Sequence, residues 1–506
     1  MKFTIQVLIE SPDTLSAEIP IGTIERSCER IEDVGLRLEE AKAVLSGLQA
    51  HLVRHQVADY LATHRACPTC HRLRASKGYH PLRFRTAFGD IELRSPRWHR
   101  CACEGRAGVI TFSPLNELLR THTAPELEFL QAKWAAHLSF TTVADLLHDV
   151  LPIDSGLHAE SVRAHVFATA QQLEAELGPE EFTYNGGCQR DIEASPEPGA
   201  PVTVGLDGGY IRGRERPPGG TGCFEVIAGK SIPQEGEARV FALVRRVDQK
   251  PKRRVHEVLA SQGVLPRQQV TFLSDGGDTV RELPAFLHPR SEHILDWFHV
   301  AMRIEQLLQT ARGIRAGPLD TESGLTREEI IHQLERVKWF LWHGNVFGAD
   351  ETLTDLMFAV DAVREEDRAA GRPAQVVLKT LSRALEEFST YIDSNATGIV
   401  NYGERYRCGE RISTGFVEST INQVVAKRFV KKQQMRWTPR GAHLLLQVRV
   451  HVLNHELRAA FQRWYPTLGG DQTRAASRAR APCCRLPPAA PRTDSARGHS
   501  LARRAR

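Results

Sequence analysis

A chain of 506 residues that is 41% hydrophobic and 25% charged has material for several buried cores, which excludes a disordered or fibrous protein. No run of eighteen apolar residues occurs, so no membrane span is expected, and ten cysteines over this length do not make a disulfide scaffold. The net charge of +5 suits a nucleic-acid partner without requiring one.

Met1 to Glu10 alternates like a strand and lacks a signal-peptide cleavage region, so a cytoplasmic protein is expected. Residues 1–62 continue into a helix carrying Leu38, Ala41, Leu45, Leu48, Leu52 and Leu61. Its narrow apolar stripe suits pairing between subunits in a homo-oligomer, or packing on its own domain. In residues 63–120, Cys67-Pro-Thr-Cys70 and Cys101-Ala-Cys103 flank a hairpin that turns at Gly89-Asp90. Two thiolate pairs around a hairpin predict a zinc ribbon holding a structural Zn2+, since four protein ligands leave no open position for catalysis. The Cys-x-Cys pair is tight, so His71, His80 or His99 is an alternative fourth ligand. Arg72, Arg74, Lys77, Arg83, Arg85, Arg94, Arg97 and Arg100 give the ribbon a one-sided charge fit for phosphates.

Residues 121–182 read as three helices, compatible with a helix-turn-helix DNA-binding segment, although Glu160, Glu174 and Glu176 oppose phosphate contact. A Gly- and Pro-rich linker runs to Pro201.

From Val202, three apolar runs lead to Asp207, Asp275 and Asp296, each read as a buried strand with a carboxylate at its rim. Phe224 to Gly229 and Ala238 to Val244 are strand-like, and Pro251 to Gln262 is helical. Three strands, a helix, a strand, a short helix, a strand and a helix make the order of an α/β ribonuclease-H-like fold. Residues 301–400 read as all-helical, with Trp339 and Trp342 expected in the core. A helix after Arg411 then carries Glu418 and Asn422 on one face, with Ser413 or Thr414 as its cap. Asp275 and Glu418 are 143 residues apart (418 − 275), which requires an inserted domain. Lys427, Arg428, Lys431, Lys432, Arg436 and Trp437 follow as a basic DNA-binding stretch beside this helix, and Leu444 to Leu457 predicts a final amphipathic helix. From residue 468 an Arg/Ala/Pro/Ser-rich tail to residue 506 reads as disordered.

The blocks Asp207-Gly-Gly-Tyr, Ser274-Asp275-Gly-Gly, Asp296-Trp-Phe-His299, Trp342-His343-Gly344 and Ser413-Thr-Gly-Phe-Val-Glu418 occur in one order over roughly residues 60 to 460. Together they resemble the Kra-type family of bacterial insertion-sequence DDE transposases, related to the Mutator-like superfamily. The resemblance implies a ribonuclease-H-like catalytic domain formed by residues 200–302 and 405–460 around an all-helical insertion of residues 303–404. It further implies two Mg2+ ions (Mn2+ substituting) held by the catalytic Asp207, Asp275 and Glu418, supported by Asp296, His299 and Asn422. The expected partner is double-stranded DNA, at the element's terminal inverted repeats and at the target. A structure-selective nuclease and a zinc-ribbon DNA-binding regulator derived from a transposase are the alternatives, and the presence of all three carboxylates weighs against the second.

Overall fold

The computed structural model describes the chain apart from residues 12–13, 28, 105–110, 155, 185–189, 191–198, 216–221, 278–282, 316, 318, 320–324, 373–374, 431–434 and 469–506. The tail beyond residue 468 and two members of the basic stretch, Lys431 and Lys432, thus lie outside the described residues.

The chain opens with an antiparallel hairpin of β1 (Lys2–Ser11) and β2 (Thr14–Glu25), followed by α1 (Leu38–Thr63). A second hairpin, β3 (Ser76–Thr86) and β4 (Gly89–His99), gains a short third strand, β5 (Thr111–Phe112), and leads to α2 (Pro114–Leu118). Gly89 makes the turn at φ +116, where a Cβ would stand 2.9 Å from the Ser46 hydroxyl. Val53 and Val57 of α1 are buried with Leu82, Ile91, Leu93 and Leu115. Residues 1–62 and 63–120 are therefore not independent units: α1 supplies two of the six buried residues in the core of the cysteine-bearing hairpin.

Next come α3 (Pro125–Ala135), α4 (Phe140–Val150) and α5 (Ala159–Glu176), the helices expected to read DNA. They do not stand apart. Val162, Val166, Ala170 and Leu173 of α5 join one buried cluster with strand residues of the central sheet and with Leu445 and Val448 from the C-terminal part of the chain. His165, near the start of α5, bonds Gln131 at 2.7 Å instead of facing solvent. One face of these helices is thus committed to the core shared with the central sheet, which the local helix-turn-helix pattern does not show.

The central sheet contains β6 (Val202–Arg212), β7 (Cys223–Ile232) and β8 (Arg239–Leu243) as an antiparallel meander. After α6 (Pro251–Ser261) the chain adds β9 (Val270–Ser274), then α7 (Leu283–Leu287) and β10 (Ser291–Leu295). Both late strands run parallel to β6, giving the order β10-β9-β6-β7-β8. Val202, Val204, Leu206, Phe241, Val270 and Phe272 are buried on one side of this mixed α/β sheet with Val255 and Leu259 of α6.

The excursion begins on α8 (Trp297–Arg312) and runs through α9 (Arg327–Trp342), α10 (Val346–Ala369), α11 (Val376–Ser394) and α12 (Tyr402–Arg407). These helices bury a core of their own, with Ile304, Leu334, Val360 and Leu385 among its members. Trp342 lies in it, 4.9 Å from Trp297, but Trp339 is 58% exposed, contrary to expectation, because it falls outside the buried line of Ile330, Leu334, Val337 and Leu341. The chain returns as α13 (Gly415–Ile421), which continues directly into a π-helical segment, Asn422–Val430. The last helices are α14 (Pro439–Leu453) and α15 (Leu457–Trp464). The final amphipathic helix expected over Leu444 to Leu457 is instead α14, which ends at Leu453, and every residue from Gly441 to Val450 is buried, so it is a central helix.

Candidate active site and cysteine cluster

Side chains alternate along a strand, so Asp207 shares a face of β6 with Gly205 and Gly209. Asp207 is not at a strand end as expected: β6 runs on to Arg212, with Asp207 opposite Ala228 of β7. On its other side, however, the pairing of β6 with β9 is recorded only from Val202 to Gly205, and β9 ends at Ser274. Asp275 follows at once, so both carboxylates emerge at the same rim.

Glu418 reaches that rim through a glycine. α13 lies across β6 and β7, and a Cβ on Gly205 would come within 2.1 Å of Val417 Cγ2 and 2.7 Å of the Phe416 ring. Only glycine lets the helix seat this deeply. Glu418, the next residue, is exposed. A glycine after Asp275 serves packing as well. Gly276 (φ +84) is needed for close packing, because a Cβ there would stand 2.4 Å from Asn395 Oδ1 of the helical excursion.

Burial chiefly pushes the Asp207 carboxyl above the ordinary carboxylate range. A hydrogen bond from Gly208 N–H (2.7 Å) and the charge of His299 oppose this, while Asp275 and Glu418 add to it. The mutual influence places the three predicted carboxylates in one electrostatic neighbourhood.

Asp296 is fully buried and caps α8, accepting from Phe298 N–H at 2.9 Å. It also accepts from Thr414 N–H (3.0 Å) and the Thr414 hydroxyl, and bonds His299 Nδ1 at 2.6 Å. Its oxygens are thus engaged in pinning the start of α13 to the start of α8, which fits a supporting role and leaves nothing for an ion. Thr414 is the N-cap position of α13, but its hydroxyl serves Asp296 instead of the helix. The Asp296 bond raises the His299 pKa against the effect of burial, and the charges of Asp207 and Asp275 raise it further. Asn422 sits half-buried at the α-to-π junction, and its Oδ1 has no hydrogen-bond partner.

Sequence reasoning missed three contributors. Tyr391 of α11 donates its hydroxyl to the Asp275 carbonyl at 3.1 Å, and Arg303, one turn beyond His299, stacks 4.1 Å over the Tyr391 ring. Gly205 is the third, and it was legible as the one residue without a side chain inside the apolar run Val202 to Leu206.

The basic stretch divides. Lys427 and Arg436 are exposed and free to meet a phosphate backbone. Arg428 and Trp437 are not DNA-facing. Trp437 is buried, and Arg428 is wholly buried, donating from Nε to the Ala135 carbonyl (3.0 Å) with its guanidinium 5.4 Å from the Trp437 and Phe140 rings. Burial lowers its pKa to about 9. The carbonyls ending α3 needed donors, and this arginine supplies one.

The four predicted cysteines converge, with Cys67–Cys103 and Cys70–Cys101 Sγ pairs at 3.3 Å, far beyond a disulfide bond. Their ligand atoms all lie within 4.8 Å of one another and could hold zinc. A Cys70 N–H hydrogen bond is the main cause that brings the Cys67 thiol down to about 7, while the hydrogen bonds of Cys101, Cys67 and Cys70 push the Cys103 thiol up. No histidine joins the cluster among the described residues.

One further group meets the same spacing: Glu174, Asp248 and His443. Arg254 sits among them, bonding Glu174 at 2.8 Å, Asp248 at 2.9 Å and Gln447 at 2.6 Å. That guanidinium occupies the position an ion would need. Asp207, Asp275 and Glu418 do not converge to this spacing.

No protein-family model matches the chain, nor does any curated protein. Among the described residues no helix is long and apolar enough to cross a membrane.

Proposed function

We propose that the chain is a divalent-metal-dependent DNA transposase of the Kra-type DDE class, with a ribonuclease-H-like catalytic domain. The observation that carries this reading is the gathering of Asp207, Asp275 and Glu418 from three distant segments, where the leading charges on Asp207 are two carboxylates and one histidine. Three anions with so little local compensation are a poor way to build a core and a good way to receive hard cations. The sheet order supports the same reading, since a three-strand meander followed by two strands parallel to the first is the ribonuclease-H-like arrangement.

Asp207, Asp275 and Glu418 would hold the Mg2+ ions; the residues present fit that role through oxygen chemistry and net charge. When bound, such ions supply Lewis acidity at the attacking and leaving oxygens of a phosphodiester. The protein's own groups do the rest. Asp296 and Thr414 fix α13, hence Glu418. Tyr391 steadies the Asp275 turn. His299, with Nδ1 engaged by Asp296, offers its other ring nitrogen as a proton carrier beside Asp207 and Asp275. Lys427, Arg436 and the exposed Lys77, Arg83, Arg94 and Arg97 of the cysteine hairpin supply cations for the DNA backbone.

The test is cleavage and joining of a plasmid carrying the element's ends in Mg2+. The expected result is nicked ends and joined products. Cutting without joining would favour a structure-selective nuclease, and binding without cutting a DNA-binding regulator.

A further inference from the structure

Asp296, His299 and Arg303 follow one another at spacings of three and four, which puts them on one face at the start of α8. His299 is tied to Asp296, whereas Arg303 is held by a ring. Its guanidinium lies 4.1 Å over Tyr391, whose hydroxyl donates to the Asp275 carbonyl at 3.1 Å. These groups also act on one another through their charges. Burial chiefly raises the Tyr391 hydroxyl pKa, the Arg303 charge opposes this, and the charges of Asp275 and Asp296 add to it.

Arg303 stands close to several carboxylates, yet among the described residues it forms no ion pair. Glu305, the only carboxylate within α8, is taken by Arg312 at 2.8 Å. Arg405, by contrast, is spent on Glu292 at 2.9 Å. The Arg303 side chain is exposed, and Phe298 and Met302 on the adjoining line of α8 are 38% and 40% exposed, so this edge of the helix is open. A guanidinium stacked on a ring uses its flat side and keeps its fork of N–H donors at the edge.

We infer that Arg303 binds the DNA phosphate at which cleavage takes place, gripping two of its non-bridging oxygens. Displacement at phosphorus loads negative charge onto those oxygens, and a planar fork matches them better than a point charge does. Tyr391 then serves both sides of the site: its ring carries the cation and its hydroxyl holds the Asp275 turn. A carboxylate in place of that ring would have neutralised Arg303 before any DNA arrived. The inference rests on the proposal that the three carboxylates cut DNA.

Single-turnover nicking of a plasmid carrying the element's ends, with the full chain saturating and Mg2+ present, tests it. Arg303→Ala should slow nicking about a hundredfold or more, with end binding and circular dichroism retained. Added guanidinium ion should restore part of that rate, and urea, which has the same shape without the charge, should not. Arg303→Met, which keeps an unbranched stem on the Tyr391 ring but no charge, should be as slow as Arg303→Ala. A fast Arg303→Met, or equal rescue by urea, would assign Arg303 to packing and overturn the inference. A wild type that cuts, with Arg303→Ala cutting equally fast, overturns this inference alone. A wild type that never cuts overturns the reading of the carboxylates and this inference with it.

Discussion

Glu174, Asp248 and His443 bring their ligand atoms within 4.8 Å of one another, whereas Asp207, Asp275 and Glu418 stay further apart, and the two groups differ in charge as well as in spacing. The difference is Arg254. Buried between Glu174 and Asp248, it keeps its charge because those carboxylates outweigh the cost of burial, and its own pKa is raised. In return, His443 and Arg254 overcome burial and hold Glu174 down to about 2. Around Asp207 burial dominates and the neighbouring carboxylates reinforce it, so its pKa rises. Tight convergence of ligand atoms therefore marks a satisfied structural network here, whereas around Asp207 a single histidine faces two further carboxylates.

The largest expected effect separates the two clusters by activity. Asp207→Asn, Asp275→Asn and Glu418→Gln should each abolish cleavage while DNA binding persists. Asp207→Asn should also hold or raise Tm at neutral pH, because a carboxyl whose folded pKa is raised destabilises the fold once ionised. A cut product from any of the three would remove it from the site. Next, Arg254→Met should remove the cation shared by Glu174 and Asp248 and cost about 3–5 kcal/mol in denaturant unfolding. A loss below about 1 kcal/mol would mean that the network is not structural. Glu174→Gln sharpens the point through pH. A carboxyl lowered from 4.5 to about 2 contributes stability above its unfolded value, lost as pH falls through the folded one. The wild-type advantage should approach about 3 kcal/mol at neutral pH and vanish near pH 2. An advantage that persists undiminished in acid would reject that account. The smallest effect concerns the open cluster's rim: Lys427→Gln should reduce the salt dependence of DNA binding by about one unit of slope without changing Tm. Arg428→Gln should do the reverse, lowering Tm with the slope intact.

The strands were legible because apolar runs broken by Asp-Gly are local signals, although β6 runs on past Asp207 to Arg212. The helix carrying Glu418 was legible for the same reason, with Phe416, Val417 and Ile421 on one side. What failed was long-range. Arg428 reads as a DNA contact within a run of cations, and only the fold reveals that the Ala135 carbonyl, 293 residues earlier, takes its Nε–H. Helices α3 to α5 read as a reading head because nothing local shows that α14 lies beneath them. Tyr391 carries no local sign of its bond to Asp275, 116 residues away. Trp339 was misplaced by weighing its size over its position, about half a turn from the line of Ile330, Leu334, Val337 and Leu341.

The length of the helical excursion has a consequence for synthesis. A chain emerging from its first residue presents Asp207 and Asp275 well before Glu418, and before the Thr414 that Asp296 holds. A product broken off anywhere in between carries two acidic residues that cannot finish the set, whatever else has folded. Any reaction that needs all three is therefore withheld from fragments that end before Glu418.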